Sequence, residues 1–348
     1  MKVEDVFVAG LGTYLPEVAD AAEAVALGRY DAEEHRRGGW TGAAVAGDVP
    51  AVDMAVQAAG RALERSGHAP GEIDLLLYAA FFHQGPDGWS PHHYVQSRTV
   101  GGTAPALRVE QGCNAMLAAM ELATCYLGVP GRTAALIAGA DNVGVPLVDR
   151  WNYLAGANSN RGSILGDAGS AVVLSRRGGF ARLLAVGSGS LPHLEAMHRG
   201  DADLFPPAAT VGLPMELGRR IAEFARRHPQ EWALAKKELQ AARTELAVRT
   251  LEEAGIGPAD VTRVTHVFTG GIEYLRSLLD PLGIDPRRGL LEFGRGLGHL
   301  GVNDQVTGLT HLVETRAVGP GDHVLMLSNG SGVALACAVV EITEPVDW

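Results

Sequence analysis

Long apolar runs are missing from this 348-residue sequence. No stretch approaches the roughly 20 apolar residues that cross a bilayer, which argues against a membrane protein. Basic residues are in deficit: 29 Lys and Arg stand against 40 Asp and Glu, a formal net charge of −11. A surface of that sign repels a phosphate polyanion, and no Lys/Arg-rich run interrupts it, so nucleic-acid binding is not expected. Cysteine is scarce. Cys113, Cys125 and Cys337 form an odd set without metal-like spacing, which fits free thiols in a reducing cytoplasm and no metal centre. The opening Met-Lys-Val-Glu-Asp lacks the apolar core and cleavage site of a signal peptide, again a cytoplasmic expectation.

What is present is enough for an enzyme-sized core, with 47% of residues hydrophobic. Strand-like runs rich in Val, Ile and Leu alternate with helical patterns, the signature of an α/β protein whose sheet is covered by helices. The 45 glycines fall at the ends of these elements, and no disordered linker is visible.

The chain also repeats itself. Residues 55–80 can be laid over 242–267: in each, an amphipathic helix meets a Gly stop, then a Pro-acidic turn, then a strand. GCNAMLAAMELATCYLGVPG from Gly112 matches GHLGVNDQVTGLTHLVETRAVGPG from Gly298 in its order of features. A small-residue loop then leads into a strand, GDAGSAVVL from Gly166 and NGSGVALACAVV from Asn329. The expectation is two duplicated halves, 1–178 and 179–348, with Cys113 and His299 at equivalent helix starts, brought together across a pseudo-twofold axis.

A cysteine at a helix N-terminus sees unpaired N–H groups and the positive end of the helix dipole, both of which favour the thiolate. That makes Cys113 the nucleophile candidate. Cys125, inside MELATCYL, and Cys337, inside ALACAVV, read as small core hydrophobes. His83, His92 and His93 share the loop FFHQGPDGWSPHHY without a second ligand cluster, so this loop reads as a pocket wall or dimer contact. GDAGS lacks the Lys and spacing of a P-loop and reads as structural.

In these motifs the chain resembles the ketosynthase III branch of the thiolase superfamily. VAGLGTYLPE is similar to that family's first strand and turn, VEQGCNAMLAAMELA to its nucleophile segment, ILGDAGSAVVL to its mid-chain glycine signature and SNGSG to its C-terminal loop. The resemblance implies an α/β thiolase fold: two βαβαβαββ-type halves in a five-layered α-β-α-β-α sandwich, paired edge to edge in a homodimer. It also implies acyl-CoA or acyl-carrier-protein thioesters as donors, with no tightly bound cofactor. Cys113 N–H and one from Gly330 or Ser331 would face the oxyanion. Arg36, Arg37 and Trp40 are similar in type to the residues that hold the adenine end of coenzyme A.

The chain departs from the family's Cys-His-Asn set in two places. VTHVFTGGIEY carries His266 with no Asn at the needed spacing, and Gly298-His299 stands where the family has Gly-Asn. The pair that decarboxylates a malonyl extender is therefore dismantled, leaving Cys113 with His299 as general base. Asn303, Asp304 and Asn329 are alternatives for orienting the imidazole. The expected activity is acyl transfer to a hydroxyl or amine of a natural-product scaffold. A decarboxylative synthase and a non-catalytic partner subunit are the alternatives. The basic residues between 217 and 245 would suit coenzyme A phosphates, an acidic carrier protein, or simply a solvated helix face.

Overall fold

Short runs of β-branched and small apolar residues, each closed by a polar or glycine turn, fold into a mixed sheet. The computed structural model describes residues 1–348 except 87, 145–147, 155–163, 201 and 206–213. In chain order the strands are β1 (Phe7–Tyr14), β2 (Val18–Asp20), β3 (Gly42–Ala44), β4 (Ile73–Ala79), β5 (Ala106–Val109) and β6 (Ala134–Asp141). They continue as β7 (Ala168–Ser175), β8 (Ala181–Ser190), β9 (Val261–Thr265), β10 (His323–Gly330) and β11 (Ala334–Ile342). β2 and β3 pair with each other, and the remaining strands hydrogen-bond in the order β5-β4-β6-β7-β1-β8-β11-β10-β9.

That order is nearly symmetric about the β1–β8 contact, which consists of Phe7 opposite Arg182 and Val8 opposite Ala181. On one side β4 runs parallel to β5 and β6, and β7 and β1 follow antiparallel. On the other, β9 runs parallel to β10, and β11 and β8 follow antiparallel. The second side has four described strands rather than the five expected. Where a counterpart of β5 would lie, the chain makes tight turns at Asp280–Leu282 and Pro286–Arg288, and their prolines withhold ladder donors.

Three apolar clusters account for the helix layers. Ala51–Ser66 buries Met54, Ala58 and Ala62 against Leu76, Leu136 and Val173 on the outside of the first half. Pro229–Ala254 and Ile272–Leu279 bury Leu246, Leu251 and Leu275 against Val264, Leu325 and Val339 outside the second. Between the halves lie Ala115–Leu127 and Asp304–Glu314, whose Met116, Leu117, Val306 and Leu309 meet Ile137, Val172, Met326 and Ala338. Each fully buried side chain of this size contributes about 1.5–3 kcal/mol. The five layers follow.

The first repeat is visible in detail. Both outer helices stop at a glycine, Gly67 and Gly255, and both continue into a proline turn whose acid caps it: Glu72 accepts from Ala69 N and Asp260 from Gly257 N, each at 2.8 Å. The basic stretch between 217 and 245 is two helices, Leu217–Arg227 and Pro229–Ala254, because Pro229 cannot extend the first.

Candidate active site

The Ala115–Leu127 helix is mostly apolar and buried, with Leu122 and Cys125 left exposed, and it carries Cys113 just ahead of its first turn. The tight turn before it requires Gly112, at φ +53, where a Cβ would come within 2.9 Å of Ser331 N. Cys113 is 8% exposed and lines a cavity of about 370 Å³. Opposite it, the Asp304–Glu314 helix starts with a fully buried acid. His299 Nε2 lies 2.9 Å from Cys113 Sγ, and His299 Nδ1 lies 2.6 Å from Asp304 Oδ2. His299 is 2% exposed.

Of the three candidates, Asp304 is the one that bonds the imidazole. Its oxygens also accept Leu300 N at 2.8 Å and Phe268 N at 2.9 Å, so the carboxylate is fixed by backbone on both sides. Facing an acceptor, Nδ1 carries the proton and Nε2 presents its lone pair to the thiol. The other two candidates are engaged elsewhere. Asn303 donates to the carbonyls of Ala168 and Leu300 and accepts from Ser170 Oγ, while Asn329, on the cavity wall, accepts from Tyr274 Oη at 3.0 Å.

His266 is buried with both nitrogens committed to backbone: Nδ1 donates to Val267 O at 2.8 Å and Nε2 accepts from Leu290 N at 3.1 Å. Burial pushes its imidazole below its usual range, which keeps it neutral. Three residues on stands Thr269, whose hydroxyl bonds to Gly271 O.

The equivalence of Cys113 and His299 needs correction. Asn114 N bonds Gln111 O at 3.2 Å ahead of one central helix, and Asn303 N bonds Leu300 O at 3.1 Å ahead of the other. Gly112 at φ +53 corresponds to Gly301 at φ +62. The true register therefore sets Gly112-Cys113-Asn114 on Gly301-Val302-Asn303, and His299 comes three residues before the counterpart of Cys113. The glycine pair Gly112 and Gly298 suggested the wrong match, because the sequence offers a second glycine at 301.

Arg36, Arg37 and Trp40 do not meet the cavity. Trp40 is 1% exposed in a core with Tyr30 and Phe268, and Arg37 pairs with Glu34. The cations on the cavity wall come instead from Lys236 and Arg243 of the Pro229–Ala254 helix, beside Trp232. Gly330 and Ser331 do close over the nucleophile segment: a Cβ at Gly330 would meet Gln111 O at 2.6 Å and Asn114 N at 3.0 Å. Ser328 Oγ donates to Cys113 O. GDAGS is structural, its Asp167 binding Arg150 and the amides of Ala46 and Val143 at 2.8 Å each. Sequence reasoning missed Asp141. This carboxylate, at the end of β6, is buried and accepts Phe81 N, Gln84 Nε2 and Val302 N. Its only signal was an acid closing an otherwise apolar strand.

Over 99% of its length, and 100% of the other, the chain superposes on the solved structure of ChlB3, described as an acyltransferase, with 44% identity and a TM-score of 0.91. The chain belongs to the ketosynthase III-like branch of the thiolase superfamily. Residues 251–342 match the family model for the C-terminal part of 3-oxoacyl-[acyl-carrier-protein] synthase III. A β-ketoacyl-[acyl-carrier-protein] synthase III from Syntrophomonas wolfei is 26% identical over 294 residues, 82% of this chain and 81% of that one. The 3-oxoacyl-[acyl-carrier-protein] synthase III of Aquifex aeolicus shares the fold, with 21% identity, a TM-score of 0.76 and coverage of 97% of this chain and 99% of that one. As a ketosynthase III-like protein the chain is an acyl-transferring enzyme, and none of its described helices is long and apolar enough to cross a membrane.

Proposed function

We propose that this enzyme loads an acyl group from an acyl-CoA or acyl-carrier-protein thioester onto Cys113 and passes it to a hydroxyl or amine of a natural-product scaffold. The observation that carries this reading is the buried relay Cys113–His299–Asp304 beside a His266 whose nitrogens are both spent on backbone. His299 Nε2 takes the thiol proton as Sγ attacks the thioester carbonyl, and the imidazolium returns that proton to the departing thiol. In the second half-reaction Nε2 takes the proton of the acceptor while it attacks the acyl-Cys113 carbonyl, and the expelled Sγ is reprotonated. Cys113 N–H and the N–H of Gly330 or Ser331 would receive the oxyanion in both steps. Asp304 keeps the proton on Nδ1 throughout. The acyltransferase description of ChlB3 supports the transfer reading.

Wild-type enzyme supplied with an acyl thioester and a malonyl thioester is expected to accumulate acyl-enzyme without releasing carbon dioxide above background. Malonyl-dependent release with a 3-oxoacyl product would overturn the reading in favour of a condensing enzyme. Absence of any acyl-enzyme would favour a non-catalytic partner.

The same reading makes the protein a cytoplasmic homodimer joined through β5, the strand at one end of the sheet, where Leu107 is exposed. Light scattering should give about twice the 36.5 kDa chain mass, and a monomer at micromolar concentration would refute the pairing.

A further inference from the structure

The corrected register of the two halves pairs Cys113 N with Val302 N, and the last residue of β10, Gly330, with the last residue of β6, Asp141. In the half that carries Cys113, Gly330 brings no side chain, and the backbone of Gln111 and Asn114 approaches it closely. In the other half Asp141 places a carboxylate oxygen on Val302 N, the amide that corresponds to Cys113 N. Asp141 Oδ2 accepts Val302 N at 3.0 Å and lies where a Cβ on Gly301 would be only 2.2 Å away. Its second oxygen accepts Phe81 N at 2.8 Å and Gln84 Nε2 at 3.1 Å.

We infer that Asp141 is a resident anion in a second, filled copy of the oxyanion site, and that it acts as a positioning residue for His299. The inference rests on His299 serving as the base. Geometry carries it: through Val302 the carboxylate clamps the 299–303 loop, and through Phe81, a residue of the cavity wall, it ties that loop to the end of β4. Its negative charge acts on the imidazole too. His299 and Tyr78 are the titratable groups whose charge acts with it, the first favouring the Asp141 carboxylate and the second held protonated by its own burial and then by that carboxylate. The imidazolium that arises as the base works is thus the state that favours the Asp141 carboxylate.

Stability alone would not select this charge. Burial pushes the Asp141 carboxyl up to about 7, against its usual 3.8, although the Val302 and Phe81 amides pull the other way. Between those values the folded protein holds a proton that the unfolded chain has lost, so stability falls as pH rises through the window. Above it the fold bears a buried anion at a net cost, and that cost is accounted for if the charge serves the chemistry.

The test uses the full-length protein, a short acyl-thioester surrogate and hydroxylamine as a small amine acceptor. Asp141→Asn is expected to load Cys113 but to transfer at least ten-fold more slowly at pH 8, and to lose the part of the acidic limb near pH 7 that the wild type shows. Thermal unfolding checks that the variant is folded. Gln84→Leu, which removes one peripheral donor to Asp141, should transfer at nearly the wild-type rate at pH 8.5 with its acidic limb displaced to higher pH. A folded Asp141→Asn within two-fold of wild type, or a Gln84→Leu profile superimposable on wild type, would overturn the inference. Failure of the wild type to load Cys113 at all would instead remove the acyl-transfer reading on which it rests.

Discussion

Cys113→Ala will abolish acyl loading while leaving the fold in place. The substitution removes one sulfur beside a cavity and spares the Gly112 turn that shapes the segment, so its structural cost is small. The chemical cost is complete, because neither remaining thiol can substitute. Cys337 is buried in β11, where burial pushes its thiol up to about 12, leaving almost no thiolate near neutrality. Cys125 is exposed, its sulfur 3.9 Å from that of Met1, and it is outside the cavity that reaches the nucleophile. Intact-protein mass spectrometry should show one acyl group added to the wild type and none to Cys113→Ala. Persistent labelling of the variant would mean that the acyl group rests elsewhere.

His299→Ala is expected to slow transfer by about 100- to 10,000-fold, the range for losing a general base. Both half-reactions suffer, since the same Nε2 serves the thiol and then the acceptor. Stopped-flow release of the donor thiol and single-turnover transfer from preloaded enzyme would measure them separately. His299→Asn restores the residue usual in the family but should gain no condensing activity, because His266 Nε2 still holds Leu290 N and faces no substrate. Unimpaired transfer in His299→Ala would assign the acceptor's proton to another base.

The Cys113–His299 pair and the α/β class were legible in the sequence because each sat in a local pattern: Gly-Cys ahead of a small-residue helix, an unexpected His after Gly298, alternating strands and helices. What was not legible depended on three-dimensional register. Asn303, Asp304 and Asn329 are indistinguishable as nearby polar residues, and only the first turn of the Asp304–Glu314 helix, with Leu300 N and Phe268 N on the carboxylate, selects Asp304. Arg36, Arg37 and Trp40 matched a donor site by residue type, yet Trp40 fills a core and the cavity takes its tryptophan and cations from a helix about 200 residues later. Asp141 escaped because a carboxylate closing a strand looks like the start of a solvated turn, and its burial is a property of the opposing half.

The 186 residues that separate Cys113 from His299 also set a delay. At about 5–20 residues per second a ribosome needs some ~10–40 s to pass from one codon to the other. During that interval the nascent chain carries Cys113 without the His299 imidazole that lies 2.9 Å from it in the folded protein. Until the second half has docked, the thiol has only its intrinsic reactivity and lacks the adjacent base that would activate it.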